Sequence, residues 1–546
     1  MIGHCISHKF SWIGNPWNRE EKMKKGLLVL ACLAMMVTPL FAQGSKESVS
    51  TESSGPVELT YWVPLNPNIA QVVQEMGQTE NSKEWERLTN TKIKFQHVAA
   101  GNDSQLSEGF NILVASGSYP DIIEYKWIDY PGGPISAIND GVIIPLNDVF
   151  KKYCPNISAF LKDHPDIAKM ISTDDGTYYC FPFLRGTSME NNKLLFSEGW
   201  VLRKDLLDKL GLGIPETPDE WYTVLKGFKD MGIKTPLVLR KDHVSRALST
   251  GFDSWDDFYV EDGKVRFGLI EPERKNYLGT VSKWYKEGLL DNDYFAVDKK
   301  VQATKVLNNE CGATWAPGGS GIGTWLPAMR KSNPQVELVS ASQMTSKKGQ
   351  YAKFARMNQV YSNSGYSGAI STSCKNVEAA AKLLDFNYSE KGHNLANFGI
   401  EGVSFNMVNG YPAYTDVIMN NKDGLSKTQA MSMYIRGHIH GPFVQDQREL
   451  EQYYDLPELT EALELWTHND MGKHIYPPAS TTQEESEQLA IIINNVNTYR
   501  DEMEAKFITG ALSINDFDKY VAQLKKFGIE KAIEIKQAAY DRYMAK

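Results

Sequence analysis

Apolar and polar residues alternate along Val57–Val63, and Tyr61 and Trp62 fall inside that run, so the pattern predicts a β-strand. Asn81–Thr89 switches to a helical period, Ile93–Val98 alternates again, Ser104–Ser116 reads as a helix ended by Gly117, and Asp121–Glu124 is a short strand. The order strand, helix, strand, helix, strand predicts an α/β layer with a largely parallel sheet. Farther on, Asp174-Asp175-Gly176 and Glu261-Asp262-Gly263-Lys264 are hairpin signals. Gly199–Arg203 predicts a strand feeding a helix over Lys204–Leu210, which Gly211 ends. At Thr217-Pro218-Asp219-Glu220 a helix should open, with Thr217 as cap, Pro218 in the first position and Glu220 closing a capping box. Thr482–Ile508 and Ile514–Tyr543 are long, charged and helical by period, and no internal repeat is visible.

Ahead of the first strand the pattern is of another kind. Met23-Lys24-Lys25 precedes an apolar run, Gly26–Leu40, and Phe41-Ala42 then meets the polar Gln43. This is the layout of a secretory signal, and about 15 apolar residues are too few for a comfortable membrane span. Residues 1–22 fit no part of it, so Met23 is the expected start, the alternative being a long basic leader. Residues 43–56 are polar and low in complexity, a flexible tether. Cleavage after Ala42 removes five Lys/Arg and two Asp/Glu and takes the net charge from −9 to −12. An acidic chain lacks the basic footprint of a nucleic-acid binder. With 42% hydrophobic and 11% aromatic residues it has ample material for cores, which excludes global disorder. Of six cysteines, Cys5 and Cys32 lie in the signal region; Cys154, Cys180, Cys311 and Cys374 remain, with no CxxC pair, so a disulfide is permitted and not required. Leu28–Cys32 is a faint lipoprotein box.

Candidate chemistry is sparse. The chain has no GxSxG, HExxH, phosphate loop or GxGxxG after a strand. His438 and His440 would share a strand face, but no carboxylate lies within five residues, and ordinary histidines are the simpler reading. Asp291-Asn292-Asp293 begins like a calcium loop and lacks its glycine and glutamate. The glycine-rich Ala316–Gly323, bracketed by Trp315 and Trp325, reads equally as a ligand-facing wall or as a connection between two core tryptophans. Tyr125–Gly133, with Trp127 and Tyr130, follows the third strand, where ligands of α/β sheets collect and aromatic rings can stack on sugars.

Several runs taken in order carry a resemblance: Ala115–Ile123 (ASGSYPDII), Tyr130–Gly133 (YPGG), Asp140–Asp148 (DGVIIPLND), Arg203–Leu212 (RKDLLDKLGL), Pro218–Tyr222 (PDEWY), Asp262–Val265 (DGKV), Glu271–Leu278 (EPERKNYL) and Lys506–Gly510 (KFITG). The chain resembles the extracellular solute-binding proteins of bacterial ABC importers, in their large, lipoprotein-like, oligosaccharide-binding group. The resemblance implies an α/β, two-lobed periplasmic-binding-protein fold with hinge crossovers and a helical C-terminal region. The expected lobes are residues 57–185 with about 366–425, and about 190–355 with about 430–546. It implies a non-enzyme without cofactor that takes an oligosaccharide in its cleft, works in the periplasm as a monomer, and docks on the transmembrane subunits of a permease. Trp62, Trp127, Tyr130, Trp315, Trp325 and Tyr366 are the stacking candidates. Arg203 would bond hydroxyls or an acidic sugar, or else form a hinge salt bridge. Two departures stand out. Many relatives carry a lipobox cysteine where Ala42-Gln43 stands, which favours a free periplasmic protein. Several carry a calcium loop where Lys229–Pro236 is short and poor in carboxylates, so no bound metal is expected there. A secreted carbohydrate-active enzyme, hydrolase or lyase, is the alternative, and a surface adhesin the third.

Overall fold

The computed structural model describes residues 55–99, 103–361, 365–437 and 441–546. The signal region, all of the tether but its last two residues, and the His438–His440 pair lie outside the described residues.

Strands β1 (Val57–Leu65), β2 (Thr91–Ala99) and β3 (Ile122–Tyr125) form the expected parallel unit. β1 runs alongside β2 from Val57↔Thr91 to Leu65↔Ala99 and alongside β3 at Tyr61↔Ile122. An antiparallel edge strand, β11 (Ser367–Ile370), completes the sheet in the order β11-β3-β1-β2. The helix Glu80–Thr89 is capped by Thr79, whose side chain accepts from the Ser82 amide, and closes on a left-handed Asn90.

The chain then crosses to a second sheet, of order β10-β5-β9-β6, made of β5 (Glu198–Arg203), β6 (Thr235–Val238), β9 (Cys311–Pro317) and β10 (Leu338–Ala341). β5 is antiparallel to both neighbours, whereas β6 and β9 are parallel. One face of this sheet buries Trp200, Trp221, Trp284 and Trp315 against helices that include Pro218–Asp230, Pro272–Lys286 and the C-terminal bundle. The other face packs Leu326, Met329, Leu459 and Trp466 into a core continuous with that of the first sheet. Local signals are realised closely here. Thr217 and Glu220 form the reciprocal capping box with Pro218 at the first helical position. Asp262 and Gly263, both at positive φ (50° and 74°), make the tight turn joining β7 (Phe258–Glu261) and β8 (Lys264–Phe267). Asp174-Asp175-Gly176 makes a turn with only an isolated bridge, Ser172↔Tyr178, and no paired strands.

Three segments run side by side between the sheets. β4 (Leu184–Arg185) pairs in parallel with β14 (Val444–Gln445), and the Arg185 amide donates to the Val360 carbonyl at 2.9 Å. A further hairpin, β12 (Phe405–Val408) with β13 (Tyr411–Tyr414), lies between β11 and β14 in sequence. The helical end consists of Gln483–Thr509, Phe517–Lys526 and Ile529–Ala545. The single helix expected over 514–543 is therefore two, because Gly528 takes φ 95° and turns the chain where the charge pattern runs straight on. Its last turn reaches back across the molecule: Arg542 Nε donates to Asp174 at 2.6 Å, and Lys546 Nζ to the Ser172 carbonyl at 2.8 Å.

Candidate ligand-binding cleft

In each sheet one edge collects the chain ends that can hold a ligand. The C-terminal ends of β1 and β3 lead into Asn66–Asn68 and into Lys126 and Trp127, and Tyr366 precedes β11 on the same edge. In the second sheet the C-terminal ends of β6 and β9 lead into Arg240 and into Pro317–Gly319, with Glu198 opening β5 beside them. The two edges face one another. A cavity of about 800 Å³ takes Asn68 and Gln71 from the first side and Pro317, Gly319, Ser320 and Thr324 from the second. Ser426–Gln429 and Tyr453 close its end. Gly318–Ile322 forms a wide π-type turn at this wall, a feature that recurs at functional sites. The turn needs its glycines: a Cβ on Gly319 would stand 2.4 Å from the Tyr453 hydroxyl.

Lys299 is shared with a second cavity, of about 610 Å³, at the end of β6. Arg240, Lys241, Arg246 and Asp256 line it, with the ring of Phe295, which is 42% exposed. Arg240 holds Asp242 at 3.1 Å, and Arg356 holds Glu198 at 2.8 Å. Arg240 also touches Nε2 of the buried His243. A guanidinium only donates, so that nitrogen accepts and the ring is neutral. Burial, opposed by Glu198 and assisted by Arg240, pushes the His243 pKa down to about 4.

Most of the residues singled out from the sequence are turned into the cores instead. Trp62, Trp127, Tyr130, Arg203, Trp315 and Trp325 are each no more than 6% exposed. Trp62, Trp127 and Tyr130 do come together, around Phe110, with ring centroids 5.8–6.1 Å from it. The Trp127 indole donates to the Ser367 carbonyl at 2.9 Å, and the Tyr130 hydroxyl to Asp140 at 2.9 Å. Trp315 stands edge-on to Trp200 at 5.3 Å, and Trp325 belongs to the core on the opposite face of the sheet. Rings of this size bury most favourably where two layers meet. Arg203 sits at the far end of β5 from the cleft, forked onto Asp205 at 2.8 and 2.7 Å and bonded to Asn309. Tyr366 alone of the set is half-buried at the cleft edge, with the Lys126 ammonium 5.8 Å from its ring centre. Arg240, Arg246 and Phe295, which line the second cavity, carry no signal in the sequence beyond the place of Arg240 just after the short strand β6. Among the described residues no three His, Cys, Asp or Glu side chains group as a metal site.

Residues 66–394 match the family model for bacterial extracellular solute-binding protein, more than half of the chain. The chain belongs to that family. This solute-binding protein is 24% identical over 521 residues to the fructooligosaccharide ABC transporter substrate-binding protein FusA of Streptococcus pneumoniae, covering 88% of each chain. It is 24% identical over 553 residues to the polygalacturonan/rhamnogalacturonan-binding protein YtcQ of Bacillus subtilis, covering 97% of this chain and 99% of the relative. Its fold is similar to the crystal structure of the alginate-binding protein AlgQ2, with TM-score 0.70, 26% identity, and 90% and 99% of the two chains covered. It is similar also to FusA in complex with kestose, with TM-score 0.69, 21% identity, and 89% and 99% covered. Membership makes it a two-lobed, exported solute-binding protein and not an enzyme. Among its described residues no helix is long and apolar enough to cross a membrane.

Proposed function

We propose that this solute-binding protein is the capture component of an ABC importer, taking an oligosaccharide into the cleft and handing it to the transmembrane subunits of a permease. The observation that carries this reading is the cavity of about 800 Å³ walled by both sheets. A solute touching both walls favours the closed arrangement of the lobes over the open one, and the closed form is the one a permease can distinguish. The names of FusA and YtcQ, both oligosaccharide or polysaccharide binders, support a sugar as cargo. Asn68, Gln71, Tyr366 and Tyr453 are the contacts we assign to it. Trp62, Trp127 and Tyr130 stiffen the wall behind Tyr366.

We assign residues 57–185 and about 366–437 to the first lobe, because Arg436 bonds Glu124 of β3. Residues about 190–355 and 446–546 make the second. The Ala42-Gln43 cleavage pattern supports release into the periplasm, where we propose that the protein acts as a monomer.

The test is thermal unfolding of the protein with neutral and acidic oligosaccharides. A ligand at 100 times its Kd adds about 2.7 kcal/mol of stability. A rise in Tm with the sugar recovered intact is expected. No rise with any oligosaccharide, or recovery of cleaved sugar, would defeat the reading.

A further inference from the structure

The lobes assigned above also meet away from the cavity between the sheets. On the first lobe, the turn Thr173–Gly176 is pinned to helix Asn147–Tyr153. Asn147 donates to the Gly176 carbonyl at 2.9 Å and accepts from the Tyr178 amide at 2.9 Å. On the second, helix Ile529–Ala545 is tied to β8, where Gln537 accepts from the Val265 amide at 2.7 Å. Asp174 of the turn and Arg542 of the helix join the two, with Arg542 Nε donating at 2.6 Å. The rest of the guanidinium is forked onto Glu485 of its own lobe at 3.0 and 2.5 Å, which fixes its orientation toward Asp174. Ser480 donates to Asp174 at 2.9 Å, and Lys546 Nζ to the Ser172 carbonyl at 2.8 Å. The Lys169 ammonium stands 4.6 Å from the centre of the Tyr543 ring.

The segments that cross between the sheets lie between this contact and the cavity. β14 pairs with β4, and β4 with Val360. Gln359 then donates to the Tyr476 carbonyl at 3.2 Å, and the chain beyond Tyr476 brings Ser480 to Asp174. The other edge of the row, β14, leads through helix Gln447–Tyr453 to the cavity wall. The contact encloses a space of about 250 Å³, with Ile135 and Asn139 on one side and Thr481–Gln483 on the other. Arg542, Asp174 and Glu485 keep 33%, 27% and 19% of their side chains exposed. Polar bonds within reach of water around an unfilled space release at far smaller cost than a packed core. Each partner is fixed to its own lobe, so a rotation about the crossing segments changes the distance between Asp174 and Arg542.

We propose that Arg542 and Asp174 form an interlobe latch, which holds the lobes in the arrangement where both sheets wall the cavity. Arg542 is then a positioning residue for solute capture and touches no solute itself. The latch sets the fraction of unliganded protein that stands ready, and the apparent affinity for a solute scales with that fraction. The inference rests on capture between two lobes and goes beyond the sugar-binding reading, since it depends on no particular solute.

The experiment measures lobe separation in the ligand-free protein. Spin labels go on two exposed positions, Gln74→Cys near the first wall and Lys331→Cys on helix Gly323–Ser332 behind the second. Pulsed electron resonance should resolve a shorter and a longer distance between them. Arg542→Ala should raise the ratio of longer to shorter about 5-fold, the scale of a partly exposed ion pair. Salt at about 1 M should do the same to the parent and add little to the variant. Arg542→Lys should recover part of the effect. Asp174→Asn should match Arg542→Ala from the other lobe, and it decides the matter should Arg542→Ala fail to fold. Affinity for kestose or trigalacturonate should fall in the same proportion. A purely structural Arg542 would lower Tm and leave the distance ratio unmoved; that result, or a shift toward the shorter distance, would overturn the latch. Failure of both sugars to bind the parent would count against the sugar-binding reading instead, and the distance ratio would still decide the latch.

Discussion

Arg436 lays its Nη2 2.7 and 2.6 Å from the two carboxylate oxygens of Glu124, a residue 312 positions earlier in the chain. Both are buried, and the Tyr61 hydroxyl donates to the same carboxylate at 2.6 Å. The pair fastens the segment after helix Lys427–Tyr434 to the central strand β3, at the root of the cleft. Removing one partner of a buried pair strands the other's charge. Arg436→Ala should therefore cost about 3–5 kcal/mol. Chemical denaturation reads this directly, and a loss below about 1 kcal/mol would mean the pair is not buried as described.

His243 gives the protein an acid limb. Its folded pKa, about 4, lies below the unfolded value near 6.5. The unfolded chain therefore takes up a proton that the folded one refuses. This contribution to stability is complete above about pH 6.5 and is lost as the pH falls toward 4. A separation of this size is worth about 3 kcal/mol. His243→Gln should flatten the fall in Tm between these limits, and an unchanged slope would remove His243 as its cause.

Gly319 separates binding from folding. An added methyl would meet the Tyr453 hydroxyl at 2.4 Å, and both residues line the cavity between the sheets. Gly319→Ala must displace the Tyr453 ring, which we assign to the wall that meets the solute. Affinity should fall by about 10-fold or more, with Tm within a few degrees of the parent. Equal affinity in the variant would place the solute elsewhere.

All four cysteines of the described residues are free and buried. Burial pushes the thiols of Cys180, Cys311 and Cys374 up to about 12. At pH 8 they should resist a thiol reagent in the native protein and react together on unfolding. Rapid labelling of the native form would contradict the packing around them.

Where the sequence was legible, the information was local. The parallel unit β1–β3, the Thr217–Glu220 box and the Asp262-Gly263 turn each depend on residues a few positions apart, whose periods and backbone preferences are written in the chain. The helix break at Gly528 was missed because one glycine in a charged periodic run signals less than the run itself. The aromatic residues misled for a related reason. A tryptophan in a loop after a strand satisfies a core and a sugar face equally well, and composition cannot tell which side it turns to.

By itself, then, the sequence determined the α/β layer, the C-terminal helices, the export-like leader and the family resemblance, since these rest on periodicity, caps and ordered short runs. Only the tertiary structure decided which distant residues meet. Asn68 and Gln71 come to one cavity with Gly319 and Tyr453 because the ends of the two sheets face one another, and Arg436 reaches Glu124 because the segment after helix Lys427–Tyr434 packs on β3. Such encounters depend on the crossing of distant segments, and no spacing along the chain encodes them.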